Sequence, residues 1–110
     1  MSAAFSNLVP DLLRSIDSST FTGSYQAVGT ALSFPTRIIK IYNGSSVGIT
    51  ISWDGINDHE YLPSTGFVLL DVATNKESNF QCQISANTQI FVKGSSGTGL
   101  VYLSTYYCNR

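Results

Sequence analysis

From residue 21 onward, apolar and polar positions alternate in short runs separated by turn residues. Residues 21–28 form a first candidate strand, closed by Gly29. Residues 37–42 (RIIKIY) are rich in β-branched side chains and stop at Asn43-Gly44, a strong turn pair. In residues 47–53, Val47, Ile49, Ile51 and Trp53 fall on one side, and Gly48, Thr50 and Ser52 on the other. That period of two marks a strand with one buried face. Asp54-Gly55 ends it with a second turn signature. Residues 67–72 are a near-continuous apolar run, which predicts a strand covered on both faces. Segments 80–84, 89–93 and 100–107 complete the set, with turns around 63–66 and 94–99. Strands at intervals of about ten residues predict one all-β domain of about seven or eight strands, a sandwich or a barrel.

Ahead of the strands, residues 8–16 (LVPDLLRSI) are the one helix-like stretch: Leu8, Leu12 and Ile16 would share a helical face, and Pro10 fits only a first turn. A helix below about 12–15 residues is marginal in water, so this segment needs something to dock on. Residues 1–20 therefore read as an N-terminal arm and residues 21–110 as the β-domain, with 15–22 the connector. Leu8, Val9, Leu12, Leu13 and Ile16 are too many apolar side chains to leave in water, since burying one such side chain is worth about 1.5–3 kcal/mol. The strands from Phe21 onward already offer two apolar faces to each other. The five arm residues are accordingly expected to contact a partner subunit, with the chain's own core as the alternative.

Composition narrows the function. Six Lys and Arg stand against seven Asp and Glu, which argues against a nucleic-acid binder with its basic stripe. Charged residues make up 12% of the 110 residues, about half the usual share, and Ser, Thr, Asn and Gly carry the polarity instead. A weakly charged, hydroxyl-rich surface resists association less than a charged one, so a homo-oligomer or lasting contact with neighbours is expected. No run approaches the roughly 18–20 apolar residues that span a bilayer as a helix, and no membrane partner is expected. No basic residue precedes Arg14, so a secretory signal is not expected and cytoplasmic synthesis is. In that setting Cys82 and Cys108 are expected as reduced thiols rather than a disulfide. One histidine and two cysteines at this spacing match no zinc pattern, and no cofactor is expected.

The richest polar cluster is Trp53-Asp54-Gly55-Ile56-Asn57-Asp58-His59-Glu60-Tyr61. Asp54, Asn57, Asp58 and Glu60 offer oxygen ligands for calcium, but their spacing departs from the twelve-residue calcium loop. His59 with Asp58 or Asp54 suggests acid–base chemistry, but adjacent side chains on a strand point to opposite faces. The favoured reading is a hairpin loop whose Asp and Asn cap turns. Gly94-Ser-Ser-Gly-Thr-Gly99 has the glycines of a phosphate loop, yet Lys93 precedes it and a strand follows, which makes it a hairpin. Trp53, Tyr61, Tyr102, Tyr106 and Tyr107 allow a stacking platform for sugars or bases, with core filling the favoured role for Trp53. Tyr106 and Tyr107, being adjacent, should face opposite ways. No nucleophile elbow is present, and no enzymatic activity is expected.

Several segments are similar to those of small virion structural proteins of tailed bacteriophages. They are Leu8-Val-Pro-Asp-Leu-Leu-Arg14, Phe21-Thr-Gly-Ser-Tyr-Gln-Ala-Val-Gly29 and Pro35-Thr-Arg-Ile-Ile-Lys40 near the start. Ile51-Ser-Trp-Asp-Gly-Ile-Asn-Asp-His59, Leu62-Pro63 and Phe67-Val-Leu-Leu-Asp71 follow, and Val92-Lys-Gly-Ser-Ser-Gly-Thr-Gly-Leu-Val-Tyr-Leu103 closes the chain. The resemblance implies a jelly-roll-like β-sandwich of antiparallel strands. It implies a capsid cement or decoration protein that binds neighbouring capsid subunits and stabilises the head. A neck or tail-adaptor component lies within the same class. The partners would be other virion proteins, and the location the virion, after synthesis in the host cytoplasm. Outside that class, the aromatic residues near 53–61 point to a carbohydrate-binding adhesion module.

Overall fold

The structure, a computed structural model, describes residues 7–71 and 84–109. Within them are nine strands, one short 3-10 turn and no α-helix. They are β1 (Asn7–Pro10), β2 (Arg14–Asp17), β3 (Gln26–Ala27), β4 (Thr36–Asn43), β5 (Ile49–Ser52), β6 (Glu60–Leu62), β7 (Phe67–Asp71), β8 (Phe91–Lys93) and β9 (Leu100–Asn109). Two antiparallel sheets make a β-sandwich. One runs β1-β9-β4-β7, with β2 also on β9, and the other runs β3-β8-β5-β6. The pairs are nested: β1 and β2 on β9, β3 on β8, β4 on β7, β5 on β6. Two further pairings, β4 with β9 and β5 with β8, close the two sheets.

Alternation explains what lies between them. Ile39 and Ile41 of β4, Ile49 and Ile51 of β5, Val92 of β8, and Val101 and Leu103 of β9 point inward and are buried, joined by Phe21, Val28, Leu32, Leu62 and Ile90. The expected face of residues 47–53 is present: Ile49 and Ile51 are in the core, and Val47 and Trp53 pack against it, half-buried. Among the described residues, Arg37 Nε is the one buried side-chain nitrogen or oxygen without a hydrogen bond. The Asn43 amide donates to the carbonyls of Val47, Leu62 and Pro63 and accepts from Ser45 N–H, tying the β4–β5 and β6–β7 loops together at one end of the sandwich.

Residues 8–16 are not a helix. They form β1, a short turn and β2, laid in sequence along β9, with Leu8 opposite Cys108 and Ile16 opposite Val101. The long β9 has backbone groups to satisfy on that side, and an isolated helix would leave them unpaired. Pro10 is tolerated because β1 lies at the end of the sheet. Arg14 fixes the geometry. Its side chain is buried and donates to the carbonyls of Thr30, Ala31 and Leu12 and to Thr105 Oγ1, while its Nη2 lies 3.3 Å from Asp11 Oδ2.

Two strands depart from expectation. The candidate at 21–28 shrinks to Gln26–Ala27, because Phe21 and Val28 turn into the core from loops on either side. The β7 run is not covered on both faces: it ends its sheet, so Val68 packs on the core while Phe67 and Leu69 stay exposed. The short β6 is an addition that three residues without alternation did not announce. The expected strand at 80–84 lies outside the described residues except for Ile84, which bridges Thr36.

Candidate interaction surface

The feature that most needs an occupant is the outer face of the five-stranded sheet. On β4, β7 and β9 the inward positions are core, so the outward ones are fixed by parity. Tyr42 lies between Phe67 of β7 and Tyr102 of β9, and Lys40 lies between Leu69 and Ser104. The Tyr42 and Tyr102 rings stack at 6.4 Å and 16°, and the Lys40 ammonium sits 5.3 Å from the centre of the Phe67 ring. Phe67 is 60% exposed and Leu69 56%. Tyr106, Cys108 and, on β1, Leu8 continue the same face. Aromatic and aliphatic side chains side by side on one face are the mark of a surface that associates.

The five arm residues separate by side. Ile16 packs against the core, and Val9 is half-buried on the inward side opposite Tyr107. Leu8 lies on the outer face, about half exposed. Leu12 and Leu13 occupy the turn between β1 and β2 and are 80% and 62% exposed. The backbone thus docks on its own sheet and leaves three of the five side chains in solvent. Helical periodicity placed Leu12 with Ile16, which the strand geometry separates. Phe67, Leu69 and Tyr42, which the sequence did not single out, carry more of the surface. Their signal was the period of two hidden inside the apolar run.

The 53–61 cluster behaves as a turn. Asp54 Oδ1 accepts from the backbone N–H of Ile56 and Asn57 and from Ser52 Oγ, and Oδ2 accepts from the Asn57 amide. Led by the Asn57 and Ile56 N–H bonds, these donors hold the Asp54 carboxyl well below the usual carboxylate range. His59 Nδ1 accepts from Trp53 N–H at 3.0 Å, so the neutral ring carries its proton on Nε2. Its neighbour Asp58 turns instead to Tyr25, whose hydroxyl donates to it, and to Lys93 at 3.1 Å. Burial first, then the Asp58 bond and charge, push the Tyr25 hydroxyl up to about 12. No group of three His, Cys, Asp or Glu gathers to hold a metal ion among the described residues.

The 94–99 segment is a backbone-to-backbone brace. Gly97 N–H donates to Ser18 O, and Ser46 N–H donates to Thr98 O. Gly99, at φ +96°, lies so close to Gly44 O that any side chain there would collide with it. The Gly97 and Thr98 N–H groups are taken up by protein acceptors, Ser18 O and Ser46 Oγ. Trp53 lines a mainly apolar cleft of about 200 Å³ between the sheets, with Ile39, Ile41, Ile51, Val68, Leu70 and one charged residue, Glu60. Tyr107 points inward and stacks on Phe34 at 4.0 Å, and Tyr106 points outward, so the adjacent pair is opposed. Cys108 receives a contact from Arg37 Nη1 at 3.8 Å, and pairing with Cys82 lies outside the described residues. Comparison with family models, with curated proteins and with solved structures found no match.

Proposed function

We propose that this chain is a non-enzymatic structural protein that works by binding neighbouring protein subunits through the outer face of its five-stranded sheet. The observation that carries the reading is the exposed Tyr42–Tyr102–Phe67–Leu69 surface on a chain with few charges. Following the sequence resemblance, the neighbours are subunits of a tailed-phage particle. The role is that of a capsid cement or decoration protein, with a neck or tail-adaptor position the other placement. The nested strand pairing supports this, because it is the winding expected of a jelly roll, a fold that serves capsid proteins among other uses. A repeated weak contact suits such a role, since many copies on one shell act together.

The test is assembly. Light scattering of the pure protein should show self-association, or else labelling of purified particles should find the chain bound to a virion subunit. Phe67→Ser with Leu69→Ser should weaken whichever contact is seen by at least about tenfold, as one apolar side chain is worth about 1.5–3 kcal/mol when buried. A monomer absent from particles, or association indifferent to the double substitution, refutes the proposal.

A further inference from the structure

On the opposite side of the sandwich, the outer face of the four-stranded sheet holds a shallow depression lined by Thr50, Asp58, His59, Glu60 and Tyr61. Tyr61 pairs with Thr50 across β5 and β6, and its ring lies over Gly48. A Cβ at Gly48 would run into the Tyr61 hydroxyl and the adjoining end of its ring, so the glycine is what leaves room for the ring against the strand. Held on that side, the ring is still 66% exposed. The polar groups converge on the same place. Asp58 is oriented through Oδ1 by the Tyr25 hydroxyl and Lys93, and its Oδ2 takes no hydrogen bond among the described residues. The His59 ring is oriented through Nδ1 by Trp53 N–H, which leaves Nε2–H as a donor. Neither side chain is a freely turning surface group.

We propose that this depression is a binding site for a neutral sugar ring. A pyranose has one face of C–H bonds and a rim of hydroxyls. The electron-rich face of an open tyrosine ring attracts the C–H face, and positioned carboxylate, imidazole and hydroxyl groups match the rim as acceptors and donors. Charge sets the class. Asp58 at the depression is paired with Lys93, and Glu60, opposite Ile51, falls on the inward side of its strand, so no free cation is left at the depression to hold a phosphorylated or carboxylated sugar. A single open platform of this size gives a dissociation constant of the order of millimolar, useful only when many copies engage one glycan surface.

The experiment is a titration of the 15N-labelled full chain with glucose, galactose, mannose and N-acetylglucosamine, with glucuronate and glycerol as controls. At least one neutral sugar should shift amide signals of residues 48–50 and 58–61, with glucuronate weaker and glycerol silent. Tyr61→Ala should weaken binding at least about tenfold, and Tyr61→Phe should retain it, since stacking rather than the hydroxyl carries it. Gly48→Ala, which displaces the ring, should weaken it as Tyr61→Ala does, with the spectrum reporting that the fold is kept. No shift with any neutral sugar at 50-fold the protein concentration and beyond, into the tens of millimolar (~50 mM) where such sites saturate, overturns the proposal. So does binding that survives Tyr61→Ala, or a preference for glucuronate.

Discussion

Asn43 offers the sharpest test of the architecture. Its side chain is fully buried, and its Nδ2 faces three carbonyl oxygens, Val47 at 2.8 Å and Leu62 and Pro63 at 3.1 Å. Asn43→Ala strands two buried polar groups at about 1–3 kcal/mol each, which sums to about 2–6 kcal/mol. For a domain of this size that lowers the melting temperature by about 10–20 °C. Asn43→Asp is nearly isosteric and should be worse at pH 7, because an anionic oxygen replaces the donor opposite the three carbonyls. The folded-state pKa of the new carboxyl would then lie above its unfolded value near 3.9. The penalty is absent below that unfolded value and grows as pH rises through the folded one. Calorimetric melting of wild type and both variants at pH 4 and pH 7 reads this directly, as the difference from wild type at each pH. If Asn43→Asp matches wild type at pH 7, or its deficit does not shrink at pH 4, the assignment of the amide as the donor hub is wrong.

Deleting residues 1–16 should lower the melting temperature markedly, because it removes two strands and the buried Arg14; an unchanged melt in calorimetry would contradict the pairing of β1 and β2 with β9. Leu12→Ser with Leu13→Ser should change stability by no more than about 0.5 kcal/mol per site while weakening any contact the turn makes with a partner, read by melting and by assembly side by side. Asp17, Asp54 and Asp58 all have carboxyl pKa values held below the ordinary one, so their contribution is present above pH 4 or so and is lost as pH falls. Asp54→Asn should therefore flatten the acid limb of a melting-temperature profile and leave the neutral region the most affected.

The β class was legible because alternation and turn pairs are local signals. Val47, Ile49, Ile51 and Trp53 declare a face by themselves, and Asn43-Gly44 and Asp54-Gly55 punctuate it. What failed depended on distant partners. Leu8, Leu12 and Ile16 fit a helix as a pattern, but β9, some ninety positions away, supplies backbone partners that the pattern does not contain. Phe67 to Leu70 read as doubly buried because apolarity alone cannot separate a central strand from an edge strand with a sticky face. The acidic loop is legible as a turn, since Asx capping depends on residues within three positions. Tyr61 is visible as an aromatic, but its seat beside Gly48 follows from strand pairing, which sequence does not print.

The two proposed surfaces sit on opposite outer faces, with the Ile39–Ile41–Ile51–Val92 core between them. That placement makes them separable by experiment. Phe67 and Leu69 face out from one sheet and Tyr61 and Gly48 belong to the other, and substitutions at distant sites without shared partners add to within about 0.5 kcal/mol. Phe67→Ser with Leu69→Ser should therefore impair assembly and leave the sugar titration as in wild type, and Tyr61→Ala should do the reverse. Combining all three should give the sum of the two effects. Coupling beyond that limit would mean that one partner reaches both faces or that the sandwich itself shifts between two arrangements. Melting curves of the combined variant tell these apart, since a rearranged sandwich changes its own stability and a shared partner does not.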